Sequence, residues 1–394
     1  MECHAAASFI WAMRSLLSLA IGLISVTSPA QAQPSMFSLT DTVGLTAALR
    51  QLWHASALPG FAVAVVRPEG IVYEHGFGYA NKERHRPYTP ATVQNVASVS
   101  KTLIGVALLQ AVAAGQLRLD QPVNELLPFP VQNPYFPQQP ITLRHLATMT
   151  AGLTDDQKFY NKRAYVKGYA SSLSSEDYLR RTLTPQGQWY RRKRFLPHAP
   201  GTYYAYSNES AALAALVLER ATGQPYSAYT RQHILQPLGL TDSGWSQAEV
   251  DTTKLATLYD RRGRPVAPYY TVTYPDGGLW TSTHSLAHYL LSILNPSIRG
   301  APLSVAGRDS LLRPQFSPAH FPQHVDPSEP NQGLFWVYRR NGTVGHTGGD
   351  AGISTFLFFD PVTQVGKIFV TNTELQDRTA AEFKVIWQLL DKIH

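Results

Sequence analysis

The sequence predicts an α+β protein in which one antiparallel sheet, built from both ends of the chain and flanked by helices, carries an inserted, mainly helical lobe. Three observations predict it. Two apolar runs near the start, GFAVAVVR (60–67) and IVYEHGFG (71–78), are separated by Pro68-Glu69-Gly70 and read as a hairpin. Near the end, GLFWVYRR, GISTFLFFD and KIFVTNTE read as three further strands. Between the two groups the chain reads as helices and loops.

In chain order, residues 41–56 read as a helix, with Thr40 or Asp41 as its cap. The hairpin follows, and Tyr79-Ala80-Asn81 marks its end in the Gly-rich turn GFGYAN. The polar, Pro-containing TPATVQNVA gives way to the apolar TLIGVALLQAVAAG, which Gly115 closes, so 98–114 reads as a helix with Ser98 in its first turn. LPFPVQNPYFPQQP (127–140) is a loop rather than a linker between independent domains. Further helices are expected at 141–149, 175–183, 207–222, 226–235 and 283–294. TAAEFKVIWQLLDKI closes the chain as a helix, and there is no internal repeat. With 394 residues, 44% of them apolar and 15% charged, the chain has the material for a substantial core, assigned to one domain over 33–394.

Residues 1–32 read as a secretory signal. Met13-Arg14 precedes the apolar run LLSLAIGLISV (16–26), which ends at Ala30-Gln31-Ala32, and Met13 is an alternative start. The run is too short to span a bilayer comfortably. Cleavage after Ala32 removes Cys3, the only cysteine, and with it any disulfide or thiolate metal site. With no cysteine at the cleavage point, a periplasmic or secreted protein without a stable membrane anchor is expected. Of the net charge of +7, residues 155–200 carry ten Lys/Arg against four Asp/Glu. Such a segment is either a solvated surface or a basic rim that draws acidic polymers. No nucleic-acid-binding motif is present, which argues against that class of partner.

The chemistry sits in three separated elements. Ser98-Val99-Ser100-Lys101 places a hydroxyl and an amine three residues apart, on one face of a helix and at its N-terminal end. A serine is a poor nucleophile until a base takes its proton, and a partly desolvated lysine is such a base. A Ser-x-x-Lys arises about once by chance in a chain of this size, so alone it is weak. Tyr206-Ser207-Asn208, within PGTYYAYSN, adds a phenol for proton transfer and an amide to orient it. His346-Thr347-Gly348-Gly349 adds small residues at a strand edge, where backbone N–H groups can approach a substrate oxygen.

In this order and spacing the chain resembles the serine beta-lactamase and penicillin-binding protein superfamily, in particular its class C-like branch of esterases, D-aminopeptidases and D-Ala-D-Ala carboxypeptidases. ITLRHLATMTAGL (141–153) and GGLWTSTHSLAHYLLSIL (277–294) look like the same branch, and the resemblance covers about residues 40–393. It implies a beta-lactamase-like fold with the cleft at the seam of sheet and lobe. It implies Ser98 as acylated nucleophile, Lys101 as its proton acceptor, and Tyr206 as proton donor to the leaving group and helper in deacylation. Asn208 would contact substrate or lysine, His346 and Thr347 would line the far wall, and Gly348 belongs to the same substrate-binding motif. The backbone N–H groups of Ser98 and Gly349 would form the oxyanion hole. Beta-lactamases usually carry Lys where this chain has His346. Because histidine's charge is conditional near neutrality, ester or peptide hydrolysis ranks above efficient beta-lactam hydrolysis. A class C-type beta-lactamase and a non-catalytic penicillin-binding sensor are the alternatives, the substrate is a small molecule or a peptide, cell-wall peptide among them, and no cofactor is implied.

Competing readings are weaker. His284 and His288 have metal-ligand spacing on a helix, but no Glu follows His284 and no third ligand is near, so surface or packing roles are favoured. His320 and His324 flank Pro322. A Ser-His-Asp triad on His346 lacks the G-x-S-x-G elbow. Trp336 reads as sheet packing, and Trp189 and Tyr190 as candidates for a cleft rim.

Overall fold

The computed structural model describes residues 42–393, so the signal segment 1–32 and Cys3 lie outside the described residues. Near the start are helix α1 (Thr42–Ala55) and strands β1 (Gly60–Arg67), β2 (Gly70–Asn81), β3 (Arg86–Pro87) and β4 (Val93–Asn95). The middle holds α2 (Lys101–Ala113), α3 (Leu143–Ala147), α4 (Gln157–Arg163), β5 (Tyr165–Lys167), α5 (Ser175–Leu183), α6 (Asn208–Thr222) and α7 (Tyr226–Thr230). There follow β6 (Tyr269–Thr271), β7 (Trp280–Ser282), α8 (Thr283–Leu294) and α9 (Val305–Leu312). The end contributes β8 (Asn331–Gln332), β9 (Val337–Tyr338), β10 (Val344–Asp350), β11 (Ile353–Phe359), β12 (Gly366–Thr371) and α10 (Asp377–Leu390).

Eight strands form one sheet in the order β3-β2-β1-β12-β11-β10-β9-β8, every neighbour antiparallel. The two ends of the chain meet at β1 and β12, where Ala64 pairs with Ile368 and Phe61 with Thr371. Strand alternation sends Phe61, Val63, Val65, Phe356, Phe358 and Phe369 to one face, under α1 and α10. Ala64, Val66, Leu357, Ile368 and Val370 go to the other, against α8 and the helical lobe. Covering both faces is why β1 reads as apolar from Gly60 to Val66 and β11 as apolar from Phe356 to Phe359, with every residue of β11 buried. Among the described residues no helix is long and apolar enough to cross a membrane.

Several elements differ from the sequence expectation. The helix expected from 98 begins at Lys101, because Ala97–Ser100 form a tight 3-10 turn entered through Ala97 at φ 48°. The helix expected over 226–235 changes to a π turn at Arg231–Leu235. GLFWVYRR contributes only the two-residue β9, since Phe335 at φ 60° breaks the extended run. His346–Gly349 lies within a strand, and Tyr79–Asn81 is the end of β2, where Asn81 Nδ2 donates to Thr257 Oγ1 at 2.7 Å. The short α4 and α9 and the three-residue pairs β4–β7 and β5–β6 carry too little periodic signal to be read in advance.

Candidate active site

Ser98 is the only partly exposed residue between Thr92 and Leu109. The turn that presents it is built by local strain. Ala97 takes the left-handed region, at a cost of about 1–2 kcal/mol for a residue with a Cβ. Its N–H is held by Asn95 Oδ1 at 2.7 Å, its carbonyl accepts Ser100 Oγ at 2.6 Å, and Val96 N donates to Leu279 O at 3.0 Å. Lys101 then opens α2 at 0% exposure, which is tolerable for an amine only when its polar end is satisfied.

Three oxygens surround the Lys101 Nζ: Ser98 Oγ at 3.1 Å, Asn208 Oδ1 at 2.8 Å and the Asp276 carbonyl at 2.6 Å. Asn208 is the first residue of α6. Ser207 caps that helix by accepting from Ser210 N at 3.0 Å, and its hydroxyl donates to Asp155 Oδ1 at 2.7 Å. Lys101 Nζ lies 5.1 Å from the centre of the Tyr206 ring, which in turn lies 6.2 Å from the His346 ring. The Tyr206 hydroxyl is shielded from solvent and has no hydrogen-bond partner among the described residues, a cost that a substrate oxygen would remove.

β10 brings the third element to this point. β9 pairs with β10 only at Val344 and Gly345, so from His346 onward that edge is not covered by β9. A Cβ at Gly348 would sit 2.2 Å from the Val96 carbonyl and 3.3 Å from Ser98 N, so only glycine lets the strand run against the Ser98 turn. Alternation puts His346 and Gly348 on one face of the strand and Thr347 and Gly349 on the other. His346 is buried, and its Nδ1 meets the Thr347 carbonyl at 2.6 Å, which requires Nδ1 to carry a proton. The structure thus brings Ser98, Lys101, Tyr206, Asn208, His346 and Gly348 together, with Thr347 and Gly349 alongside on the same strand.

Sequence reasoning missed the acids behind these groups. Asp276 is buried, accepts Tyr160 OH at 2.6 Å, and is pushed up to about 6 by burial. Desolvation raises Asp155 as well, against the hydrogen bonds it accepts. Asp350, directly after the His346–Gly349 motif, accepts Tyr165 OH at 2.9 Å and is likewise raised by desolvation to about 6. Glu209 and Arg194 form an ion pair at 3.1 Å with each side chain 1% exposed, and burial together with Asp155 pushes Glu209 upward. No motif of fixed spacing links these residues, so the sequence offered no signal for them.

The other candidates lie elsewhere. His284 pairs with Glu74 at 3.0 Å and packs edge-on against His288, and no group of three or more metal-ligating side chains occurs among the described residues. Trp336 is fully buried against Tyr289 and Phe359. Trp189 packs on Phe159 and Tyr178 with the guanidinium groups of Arg163 and Arg181 over its ring.

The model of the family described as Beta-lactamase matches residues 45–390. The chain belongs to the beta-lactamase family of serine hydrolases. Within the family it is 32% identical over 231 residues to esterase EstB of Burkholderia gladioli, 56% of each chain. It is 23% identical over 328 residues to protein flp of Staphylococcus aureus, 80% of this chain and 60% of that one. The chain thus spans 56% and 60% of the lengths of these two relatives. The octameric penicillin-binding protein homologue of Pyrococcus abyssi has the same fold at a TM-score of 0.70 and 22% identity, over 89% of this chain and 77% of that one.

Proposed function

We propose that this beta-lactamase-family protein cleaves ester or amide bonds through an acyl-enzyme on Ser98, as an esterase or as a carboxypeptidase or aminopeptidase acting on D-amino-acid peptides. The observation that carries the reading is the surroundings of Lys101 Nζ. Asn208 Oδ1 and the Asp276 carbonyl can only accept, so each takes one amine proton. A neutral amine so held turns its lone pair to the third neighbour, Ser98 Oγ at 3.1 Å. It is then poised to take the hydroxyl proton as Oγ attacks the substrate carbonyl carbon.

The remaining steps follow from the same groups. Negative charge develops on the carbonyl oxygen, and the N–H groups of Ser98 and Gly349 are the donors assigned to it; one such donor is typically worth about 100- to 1000-fold in rate. The proton on Lys101 passes by way of Tyr206 to the departing alcohol or amine, and the acyl group stays on Oγ. Water then attacks the ester with Lys101 and Tyr206 acting in reverse, which frees the acid and restores the hydroxyl. His346, whose charge is conditional near neutrality, offers no fixed cation for a substrate carboxylate, which supports neutral esters and peptides over beta-lactams. The likeness to an esterase supports the same order. The pattern at 13–32 supports export, where a small ester or cell-wall peptide is within reach, without a membrane anchor and with no role for nucleic acid.

A fluorophosphonate label and a panel of a chromogenic short ester, a cephalosporin and a D-Ala-D-Ala peptide test the reading. The expected result is label on Ser98, none in Ser98→Ala, and turnover of the ester or peptide above the cephalosporin. Labelling unchanged in Ser98→Ala overturns the nucleophile. Acylation that never turns over on any of the three substrates favours a sensor and overturns the hydrolase.

A further inference from the structure

Residues 155–167 reach all three chemical elements from behind. Asp155 accepts Ser207 Oγ at 2.7 Å, Asn208 N at 2.6 Å and Glu209 N at 3.3 Å, so it ties down the start of α6 and with it Asn208. Tyr160, in α4, donates to Asp276 Oδ2 at 2.6 Å and meets Thr273 Oγ1 at 2.7 Å. The carbonyl of that same Asp276 is the 2.6 Å acceptor of Lys101 Nζ. Tyr165, in β5, donates to Asp350 Oδ2 at 2.9 Å, at the end of the strand that carries His346–Gly349.

The two tyrosines also hold each other, edge to face with ring centres 5.9 Å apart. Ala164 between them accepts Val272 N at 2.7 Å, and Tyr165 pairs with Thr271 in β6, the strand that leads into Thr273–Asp276. The three contacts therefore belong to one internally bonded segment, 155–167.

We propose that the segment Asp155–Lys167 is a brace that sets the mutual position of the three elements, with Asp155, Tyr160 and Tyr165 as positioning residues. This rests on the acyl-enzyme reading of Ser98. The segment is the basic stretch whose sequence suggested only a charged surface: Lys158, Lys162 and Arg163 face solvent, while Tyr160 and Tyr165 reach inward to the acids. Holding carboxyls away from water is unfavourable, and apolar side chains of similar size would pack without that cost. What the hydroxyl–carboxyl pairs add is direction. Each fixes a hydrogen-bonded backbone segment rather than a surface, and each segment carries one part of the reaction.

The test is removal of single oxygens. Tyr160→Phe and Tyr165→Phe keep the rings and delete the donors. The expected result is a roughly 10- to 100-fold fall in the rate of Ser98 labelling and in kcat on a short ester, with KM changed less than about threefold. Lys162→Ala, on the solvent side of α4, leaves both rates unchanged. Asp155→Asn should behave as the tyrosine variants do, and if it does not fold they still decide the matter. Labelling rates within about threefold of wild type in both tyrosine variants overturn the brace, as does a loss of kcat that only tracks loss of folded protein by circular dichroism. Wild-type protein that does not label on Ser98 overturns the underlying reading instead, so the two failures are distinct.

Discussion

Gly348→Ala is the sharpest perturbation of the site. The added methyl would stand 2.2 Å from the Val96 carbonyl oxygen, about 1 Å short of an ordinary contact, and 3.3 Å from Ser98 N. Neither partner can swing away, because both atoms are backbone and Val96 N is itself bonded to Leu279 O at 3.0 Å. β10 must therefore move off the Ser98 turn by about 1 Å. Overpacking of this kind costs about 1–3 kcal/mol, which at roughly 2–4 °C per kcal/mol is a melting shift of about 2–12 °C. The catalytic loss should be larger, because a misplacement of about 1 Å at a reacting centre costs roughly 100-fold. Gly345→Ala supplies the comparison. Its methyl would meet Leu357 O at 1.9 Å, within the β10–β11 pairing and away from Ser98, so it should destabilise the strand with a smaller loss per folded molecule. Hydrolysis of a short chromogenic ester and a thermal melt measure both quantities. If Gly348→Ala keeps kcat/KM within about threefold of wild type, or if Gly345→Ala loses as much per folded molecule, the close approach of strand and turn is not what the reaction uses.

Three further outcomes are expected. His346→Lys places a fixed cation on β10, so kcat/KM for a carboxylate-bearing cephalosporin should rise about tenfold or more relative to a neutral ester; an unmoved ratio rejects His346 as the determinant of preference. Asp276 is raised by burial from 3.8 to about 6, so the folded state holds a proton that the unfolded chain releases, and this contribution is complete below about pH 4 and lost as pH rises through about 6. Asp276→Asn removes that loss, of order 3 kcal/mol, so its melting temperature should gain on wild type between pH 4 and 7, and a difference constant with pH refutes the assignment. Arg194→Met leaves the Glu209 carboxyl, 1% exposed, without its cation and should cost about 3–5 kcal/mol by urea denaturation; the double variant with Glu209→Leu should recover most of it, and no recovery refutes the pairing.

The fold was legible because its signals are local and repeated. β1 is apolar from Gly60 to Val66 and β11 from Phe356 to Phe359, and the helices of the lobe bury most of their surfaces, so each announces itself within a dozen residues. What local pattern could not give was where regular structure stops. Ala97 and Phe335 adopt positive φ, which nothing in an alanine or a phenylalanine advertises. Tertiary contacts impose it: Asn95 holds Ala97 N, and the Ala147 carbonyl accepts Phe335 N at 2.9 Å. For that reason α2 starts three residues later than the sequence pattern predicts, and β9 is shorter than its apolar run predicts.

The site divides along the same line. Ser98 and Lys101 are three residues apart, and Tyr206 and Asn208 two, so each pair is a word that a reader can find. Asp276 touches Lys101 across 175 positions, Asp155 reaches Asn208 across 53, and Tyr165 reaches Asp350 across 185. At those separations a carboxylate carries no spacing to recognise, and its sequence neighbours, Asp156 beside Asp155 and Pro275 beside Asp276, point to a cap and a turn instead. The groups that do the chemistry are therefore readable in the chain, whereas the groups that aim them become visible only when the lobe closes over the sheet. If Tyr160 and Tyr165 matter as proposed, much of the rate in this protein is set by residues whose neighbours in sequence describe nothing more than a basic surface.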